Sequence, residues 1–175
     1  MRSDVLTFSR RTCEAPFGVV TVIGSDLGIR FVIFSNDAHP KPLEKLHISD
    51  TEIHESVNAA ITQLEEYFSG SRHDFELPLD LHGTEFQVAA WNALAEIPFG
   101  RTASYGQQAA SIGRPKAVRA IGGANGRNPV AIVLPCHRIV GADGSLTGFG
   151  GGIEVKKWLL DHEQSTLRNT TGNRA

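Results

Sequence analysis

The chain has 175 residues, of which 41% are apolar and 21% charged, and its formal net charge is −2. It is long enough for one ordinary domain or two small ones, and its composition excludes disordered and fibrous classes. No stretch approaches the roughly 18 apolar residues that span a bilayer, and the N-terminus has no apolar run of signal-peptide length. With only Cys13 and Cys136, the chain is not a disulfide scaffold, which favours a reducing, cytoplasmic location with both thiols free.

The first 82 residues predict a small α/β unit with a linker at its end. Residues 16–34 are rich in Val, Ile and Phe and predict two strands joined by a hairpin. Residues 36–49 predict a loop, and residues 69–83 one strand plus the linker. Residues 52–68 predict a helix, because six apolar residues recur at three- and four-residue spacing: Ile53, Val57, Ala60, Ile61, Leu64 and Phe68.

A second unit, predicted for residues 83–163, opens with a helix. Thr84 and Gln87 have the spacing of a capping box, in which each side chain satisfies a free backbone N–H. A short helix capped by Ser104 and another over 116–126 flank a "GRP" turn, and this pattern predicts a helix-turn-helix. In the second of them Ala117, Val118 and Ile121 are expected to face inward, and Lys116 and Arg119 outward.

The charges are distributed unevenly along the chain. Residues 1–83 carry seven basic against thirteen acidic groups, whereas residues 98–138 carry no Asp or Glu. The basic residues of that stretch are Arg101, Arg114, Lys116, Arg119, Arg127 and Arg138. A one-signed stretch indicates a surface that faces a polyanion, or else a solvated face paired with acids from elsewhere in the fold.

The end of the second unit contains a buried segment, a loop and a helix. Residues 128–135 predict a short buried segment that leads into Cys136, and a glycine-rich loop follows over residues 141–152. Residues 153–163 predict an amphipathic helix with Val155, Trp158, Leu159 and His162 on one face. The polar residues 164–175 are expected to form a frayed tail.

The Cys136–His137 pair permits two interpretations. A thiol with an ordinary pKa of about 8.5 is mostly protonated at neutral pH, so a nucleophilic cysteine needs a base or a positive field. His137 could act as that base through one water if an acid held its tautomer, and the residues alone leave four acids open: Asp143, Glu154, Asp161 and Glu163. The alternative is that Cys136 is a small buried hydrophobe and His137 a satisfied core histidine.

Metal binding is not expected. The usual zinc spacings are missing, and His39, His47, His54, His73 and His82 have the scatter of surface histidines. Cys13 is given no role.

One family resemblance covers most of the second unit. The stretch "SYGQQAASIGRPKAVRAIGGANGRNPVAIVLPCHRIVGADGSLTGFGGGIEVKKWLLDHE" resembles the signature of the O6-alkylguanine-DNA alkyltransferases. The resemblance is strong from Phe86 to Glu163 and mainly architectural over residues 1–82. It implies an α/β (α+β) fold, in which a small N-terminal sheet-plus-helix domain packs on a mainly helical domain that contains the helix-turn-helix.

The resemblance also implies the reaction and its residues. The chain would repair DNA by moving an alkyl group from O6-alkylguanine in double-stranded DNA, after base flipping, to its own Cys136. His137 would be the base acting through a water, and Glu163 would hold His137. Asn128 would support the segment around the cysteine, and Tyr105 would protonate the leaving guanine. Because the thioether product is stable, each chain would act once, as a methylated-DNA–protein-cysteine methyltransferase without a cofactor.

The DNA and alkyl contacts carried over by the resemblance form two sets. Arg119 would enter the duplex in place of the extruded base, and Ala117 and Ala120 would allow close approach in the minor groove. The full DNA-binding set is Arg119, Ala117, Ala120, Ser104, Tyr105, Arg114 and Lys116. The alkyl pocket would comprise Pro135, Phe149, Gly150, Gly151 and Lys156.

Two departures from the family and two alternatives remain. Phe149 replaces a tyrosine found in many members, so the pocket would lose one hydroxyl. Cys13 has no second free cysteine with which to hold the zinc that some members bind. A monomer without membrane partners is expected; repair of O4-methylthymine and cooperative assembly on DNA stay open. The alternatives are a non-enzymatic lesion-binding or regulatory helix-turn-helix module and a cysteine hydrolase that turns over.

Overall fold

The N-terminal part of the chain contains a four-stranded sheet. In the computed structural model, which describes residues 6–172, β1 (Thr7–Ala15), β2 (Gly18–Ser25) and β3 (Gly28–Phe34) pair antiparallel. A short strand, β4 (His47–Ser49), joins β1 in parallel, so that the order is β3-β2-β1-β4. The predicted hairpin is confirmed. The loop predicted for 36–49 is wrong where β4 forms. The strand β1 was not predicted because its centre is polar, and backbone pairing with β2 holds this part in the sheet.

The helix α1 (Glu55–Ser69) packs against this sheet. Four residues of the predicted stripe are buried, but Ile53 precedes the helix and is exposed. Tyr67 is a large, fully buried side chain of α1 that the predicted set of buried residues did not include. The strand predicted within residues 69–83 is reduced to one isolated bridge, between Leu79 and Ile29.

Three helices form the core of the C-terminal part: α2 (Glu85–Leu94), α3 (Tyr105–Ser111) and α4 (Val118–Gly126). Both predicted N-caps are confirmed. Thr84 and Gln87 form a complete capping box on α2, and Ser104 and Gln107 form another on α3. These local bonds fix where α2 and α3 begin.

Side-chain amides lock α3 onto α4 as a helix-turn-helix. Gln108 Nε2 donates to Asn125 Oδ1 at 3.0 Å, and Asn125 Nδ2 donates back to Gln108 Oε1 at 2.7 Å. Trp91 of α2 donates its Nε1–H to the Ala124 carbonyl at 2.8 Å. Ile121 is buried as predicted, whereas the inward placement of Val118 is wrong, since that residue is 42% exposed.

The last helix, α5 (Ile153–Gly172), is longer than predicted. The frayed tail expected after residue 163 is wrong through Gly172, and residues 173–175 lie outside the described part of the chain. The extension is held at Gly100, whose carbonyl accepts from Gln164 Nε2 at 2.5 Å and whose Cα lies against Leu167. No helix within residues 6–172 is both long enough and apolar enough to cross a membrane.

Candidate active site

Cys136 follows a strained turn that is docked on the sheet. Val32 of β3 donates its N–H to the Pro129 carbonyl at 2.9 Å, which fixes the start of the segment. Ile132 then has φ of 71°, a conformation that costs a β-branched residue of the order of 1–3 kcal/mol. Cys136 begins the 3₁₀ turn Cys136–Arg138 four residues later. The strain is maintained because the surrounding contacts determine the backbone at both ends.

Asn128 clamps this segment from both sides. Its Nδ2 donates to the Leu134 carbonyl at 2.7 Å, and its Oδ1 accepts from the Val130 N–H at 3.0 Å. All of these groups are buried. The support of the cysteine segment by Asn128, expected from the resemblance, therefore has a definite geometry.

His137 and Glu163 form a buried pair with no solvent exposure on either side chain. His137 Nε2 lies 2.7 Å from Glu163 Oε1, and His137 Nδ1 has no hydrogen-bond partner among residues 6–172. A carboxylate only accepts, so Nε2 carries the proton and Nδ1 presents a lone pair. This tautomer makes Nδ1 the basic atom of the site.

Glu163 is surrounded by four donor residues from three parts of the chain. Besides His137, Arg138 donates through Nε and Nη2, the Gly100 N–H donates at 3.0 Å, and the Tyr67 hydroxyl donates at 2.8 Å. Burial by itself would raise the pKa of Glu163, but the hydrogen bonds and charges of His137 and Arg138 outweigh it and lower that pKa to about 2. Glu163 is therefore ionised throughout the neutral range.

Arg138 does not belong to the basic surface on which the sequence placed it. Its side chain is buried, donates to Glu163, and gives its Nη1–H to the Ile97 carbonyl at 2.6 Å. A buried guanidinium needs such a partner because an unpaired charge in the interior is costly. The basic surface predicted from the sequence therefore loses Arg138.

The thiol and the imidazole are both neutral at rest. Burial raises the pKa of Cys136, although the hydrogen bond with Asn128 and the charge of Lys156 act in the opposite direction. Burial lowers the pKa of His137, and Glu163 offsets this only in part. A protonated thiol beside a neutral base that an ionised acid orients can attack an electrophile if the base removes the thiol proton.

A cavity of about 430 Å³ opens above Cys136. Its walls come from α3, the end of α4 and the glycine-rich loop, through Tyr105, Gly126, Thr147, Phe149 and Gly150. Thr147 donates its hydroxyl to the Tyr105 oxygen at 2.9 Å, which leaves the Tyr105 proton available. The volume falls within the range of small-molecule sites.

Three residues assigned to the alkyl pocket lie outside these walls: Pro135, Gly151 and Lys156. Lys156 is fully buried and donates Nζ–H bonds to the carbonyls of Ile139 at 2.5 Å and Thr147 at 3.0 Å. Burial lowers its pKa, and the neighbouring Cys136 acts in the opposite direction. Lys156 thus holds the glycine-rich loop from behind.

Two family models match nearly the whole chain. The model described as 6-O-methylguanine DNA methyltransferase, DNA binding domain, matches residues 85–165, and the model of its ribonuclease-like domain matches residues 9–81. The chain belongs to this family.

Individual relatives agree with the family assignment. A methylated-DNA–protein-cysteine methyltransferase from Methanosarcina acetivorans is 45% identical over 154 residues, which cover 87% of this chain and 96% of that protein. Another from Mycolicibacterium paratuberculosis is 44% identical over 88% of this chain and 91% of its own length. The crystal structure of Mycobacterium tuberculosis OGT in complex with DNA superposes with a TM-score of 0.83 at 40% identity, covering 90% of this chain and 94% of that one.

Family membership confirms several predictions from the sequence. The mixed α+β fold is confirmed, as are DNA as the partner and DNA repair by alkyl transfer to a cysteine of the protein itself. The alternative of a non-enzymatic helix-turn-helix module is not favoured. The roles of the individual residues remain predictions.

The helix-turn-helix presents most of the predicted DNA-binding residues to solvent. Arg114, Lys116, Arg119 and Ala120 are exposed, and Ala117 is half-buried at the start of α4. The side chain of Ser104 is occupied in capping α3. Within residues 6–172, no carboxylate pairs with any exposed cation of the predicted basic stretch: Arg101, Arg114, Lys116, Arg119 and Arg127.

Sequence reasoning missed three contributors to the site. Tyr67, Gly100 and Arg138 all donate to Glu163, and no local motif identifies them, because they are 25 to 96 residues from Glu163 along the chain. Among the described residues, no group of three His, Cys, Asp or Glu side chains is placed to hold a metal ion.

Proposed function

We propose that the chain repairs O6-alkylguanine in double-stranded DNA by transferring the alkyl group irreversibly to Cys136. One observation carries this proposal: Cys136 lies on the wall of a cavity that opens between the helix-turn-helix and the glycine-rich loop, and the residue after it, His137, is held by the buried Glu163. In the described part of the chain, the exposed cations around the helix-turn-helix are not paired with a carboxylate, which suits a polyanion.

The first step removes the thiol proton. His137 Nδ1 takes it, through one water, and Glu163 stabilises the resulting imidazolium through its bond to Nε2. The sulfur then attacks the alkyl carbon in line, forming the S–C bond as the C–O6 bond breaks. Overall, the thiol proton replaces the alkyl group on the guanine.

The leaving group is stabilised by Tyr105. Guanine leaves poorly as an anion, and a positioned donor lowers the barrier by neutralising it. The Tyr105 hydroxyl lies on the wall of the cavity and accepts a bond from Thr147, so that its own proton can pass to the departing guanine. The proton that His137 removed from the thiol then restores the Tyr105 hydroxyl.

Access to the cavity requires base extrusion. The O6 atom is stacked inside the duplex, and flipping the nucleotide costs a few kcal/mol. Arg119 on α4 would fill the gap, Ala117 and Ala120 would permit close approach, and Arg114 and Lys116 would neutralise phosphates.

The product determines the kinetics. No group in the site can hydrolyse a thioether, so each chain acts once and needs no cofactor. The chain is further proposed to act as a monomer in the cytoplasm, where DNA is accessible to it.

The DNA side of the reaction tests the proposal. A duplex with one O6-methylguanine is incubated with the protein, and the base composition is measured after digestion. Wild type is expected to restore one guanine per chain, and Cys136→Ala none. Cys13→Ala is the matched control, since it removes the other buried thiol, whose pKa burial, Glu65 and Glu14 raise to about 11. Repair that persists in Cys136→Ala overturns the proposal.

A further inference from the structure

A second cavity lies beside the one above Cys136. Its volume is about 500 Å³, and apolar side chains form much of its wall, including Phe31, Pro40, Pro42, Trp91 and Pro129. The two cavities have three wall residues in common: Ala38, His39 and Arg127. The boundary between them is therefore formed by the loop after β3 and by the end of α4.

The loop that carries His39 is fixed in place. The Ala38 N–H donates to the Gly150 carbonyl at 2.9 Å, and the His39 N–H donates to Asp37 Oδ1 at 2.8 Å. Asp37 also pairs with Lys41 at 3.6 Å, and both side chains are largely buried. These contacts tie a loop of the N-terminal unit to the glycine-rich loop of the active site.

The imidazole of His39 lies against the end of α4. A Cβ atom placed on Gly126 would come within 3.3 Å of His39 Cε1, so the absence of a side chain at Gly126 allows the ring to approach this closely. Arg127 is held separately, because its Nη1 donates to the Gly123 carbonyl at 3.2 Å. Of the shared residues, His39 has the only ring, and Ala38 has too small a side chain to close the gap.

We propose that His39 determines specificity for the O6 substituent by closing the cavity above Cys136 towards the apolar cavity beside it. This inference rests on the proposed function. The ring leaves room for a methyl group at the sulfur and restricts large aromatic substituents such as benzyl. The neighbouring cavity, with its apolar wall, would accommodate such a group once the ring is removed.

Paired substrates in one duplex sequence test the inference. Second-order rate constants are measured with O6-methylguanine and with O6-benzylguanine at the same position, so that any change in DNA binding cancels in their ratio. His39→Ala is expected to raise the benzyl-to-methyl ratio about tenfold, a factor typical of small volume changes in an apolar pocket. His39→Phe keeps a ring and should leave the ratio near that of wild type. His47→Ala is the matched control, because His47 is exposed on β4 and lines neither cavity.

The outcomes separate this inference from the proposed function. If wild type repairs O6-methylguanine but His39→Ala leaves the ratio unchanged, the role of His39 is overturned and the proposed function stands. An equal rise in His39→Phe also overturns it. If wild type transfers neither group, the proposed function fails, and this inference fails with it. Thermal unfolding of each variant establishes that the ratios compare folded proteins.

Discussion

Among residues 6–172, every group that is hydrogen-bonded to the Glu163 carboxylate is a donor. Tyr67, Gly100, His137 and Arg138 all give hydrogens to its two oxygens. A carboxylate can accept all of them, whereas an amide offers one acceptor and adds two donors of its own. The preference for an acid at this position therefore follows from counting lone pairs.

Replacing Glu163 by Gln tests this argument. The amide group would oppose at least one donor and would no longer stabilise a charged His137, so the rate of alkyl transfer should fall by about 10² or more. Single-turnover kinetics on methylated DNA measure the effect, with Glu154→Gln, an exposed acid on α5, as the control. Equal rates in the two variants would remove Glu163 from the relay.

The pKa directions predict the pH dependence of alkyl transfer. Burial lowers the pKa of His137 below its ordinary 6.5, so the base is neutral at pH 7 and is lost only as the pH falls through that lowered pKa. Glu163, with a pKa of about 2, stays ionised over the same range. The rate should be level from pH 8 down to pH 6.5 and should fall only at lower pH, where the pH passes through the lowered pKa of His137. A rate that instead climbs about tenfold per pH unit up to pH 8 would indicate direct attack by a free thiolate.

At the scale of secondary-structure elements, the sequence predicted the helices whose first residue is set by hydrogen bonds between near neighbours in the chain. Thr84 and Ser104 predict the first turns of α2 and α3, because all the residues of a capping box lie within four positions of the sequence. The strand β1 has a polar centre that backbone pairing with β2 holds, and the extension of α5 is held by Gly100, which lies 64 residues before Gln164 in the chain. For that reason, hydrophobic patterning identified neither.

The helix α4 carries the clearest test of DNA engagement. Arg119 is exposed on this helix. Arg119→Ala should slow repair in duplex DNA by tenfold or more, because no side chain then occupies the gap that the flipped base leaves in the duplex. Reaction with free O6-benzylguanine should change little, since that substrate needs no flipping. Arg168→Ala, an exposed arginine near the end of α5, is the control. Equal losses on both substrates would contradict the role of Arg119.

Across the whole molecule, the N-terminal unit reaches into the active site. Tyr67 of α1 donates to Glu163 of α5, and burial together with Glu163 keeps the pKa of Tyr67 well above its ordinary value. The Glu163 carboxylate is thus held partly by a helix from outside the unit that carries the cysteine. The sequence identified the Cys136–His137 pair locally, the resemblance selected Glu163 as its partner, and the tertiary contacts of Tyr67 could be found only in the structure.

Substitutions at the two tyrosines of the chain should have different effects, one mainly on the free energy of unfolding and the other mainly on the rate of alkyl transfer. Tyr67→Phe removes a buried bond to a charged group and should lower the free energy of unfolding by about 1.5–3 kcal/mol, with a smaller effect on rate. Tyr105→Phe should slow alkyl transfer about tenfold or more while changing stability less. Urea unfolding and single-turnover kinetics on both variants check this. The reverse pattern would place Tyr67 rather than Tyr105 at the reacting atoms.

The central claim is that Cys136 itself takes the alkyl group, once. Mass spectrometry of the protein after incubation with excess O6-methylguanine DNA measures this directly. The predicted result is one added methyl group per chain, located on the peptide that contains Cys136, with no further repair after that equivalent is consumed. Methyl groups located on another residue, or continued repair by chains whose Cys136 stays unmodified, would contradict the account.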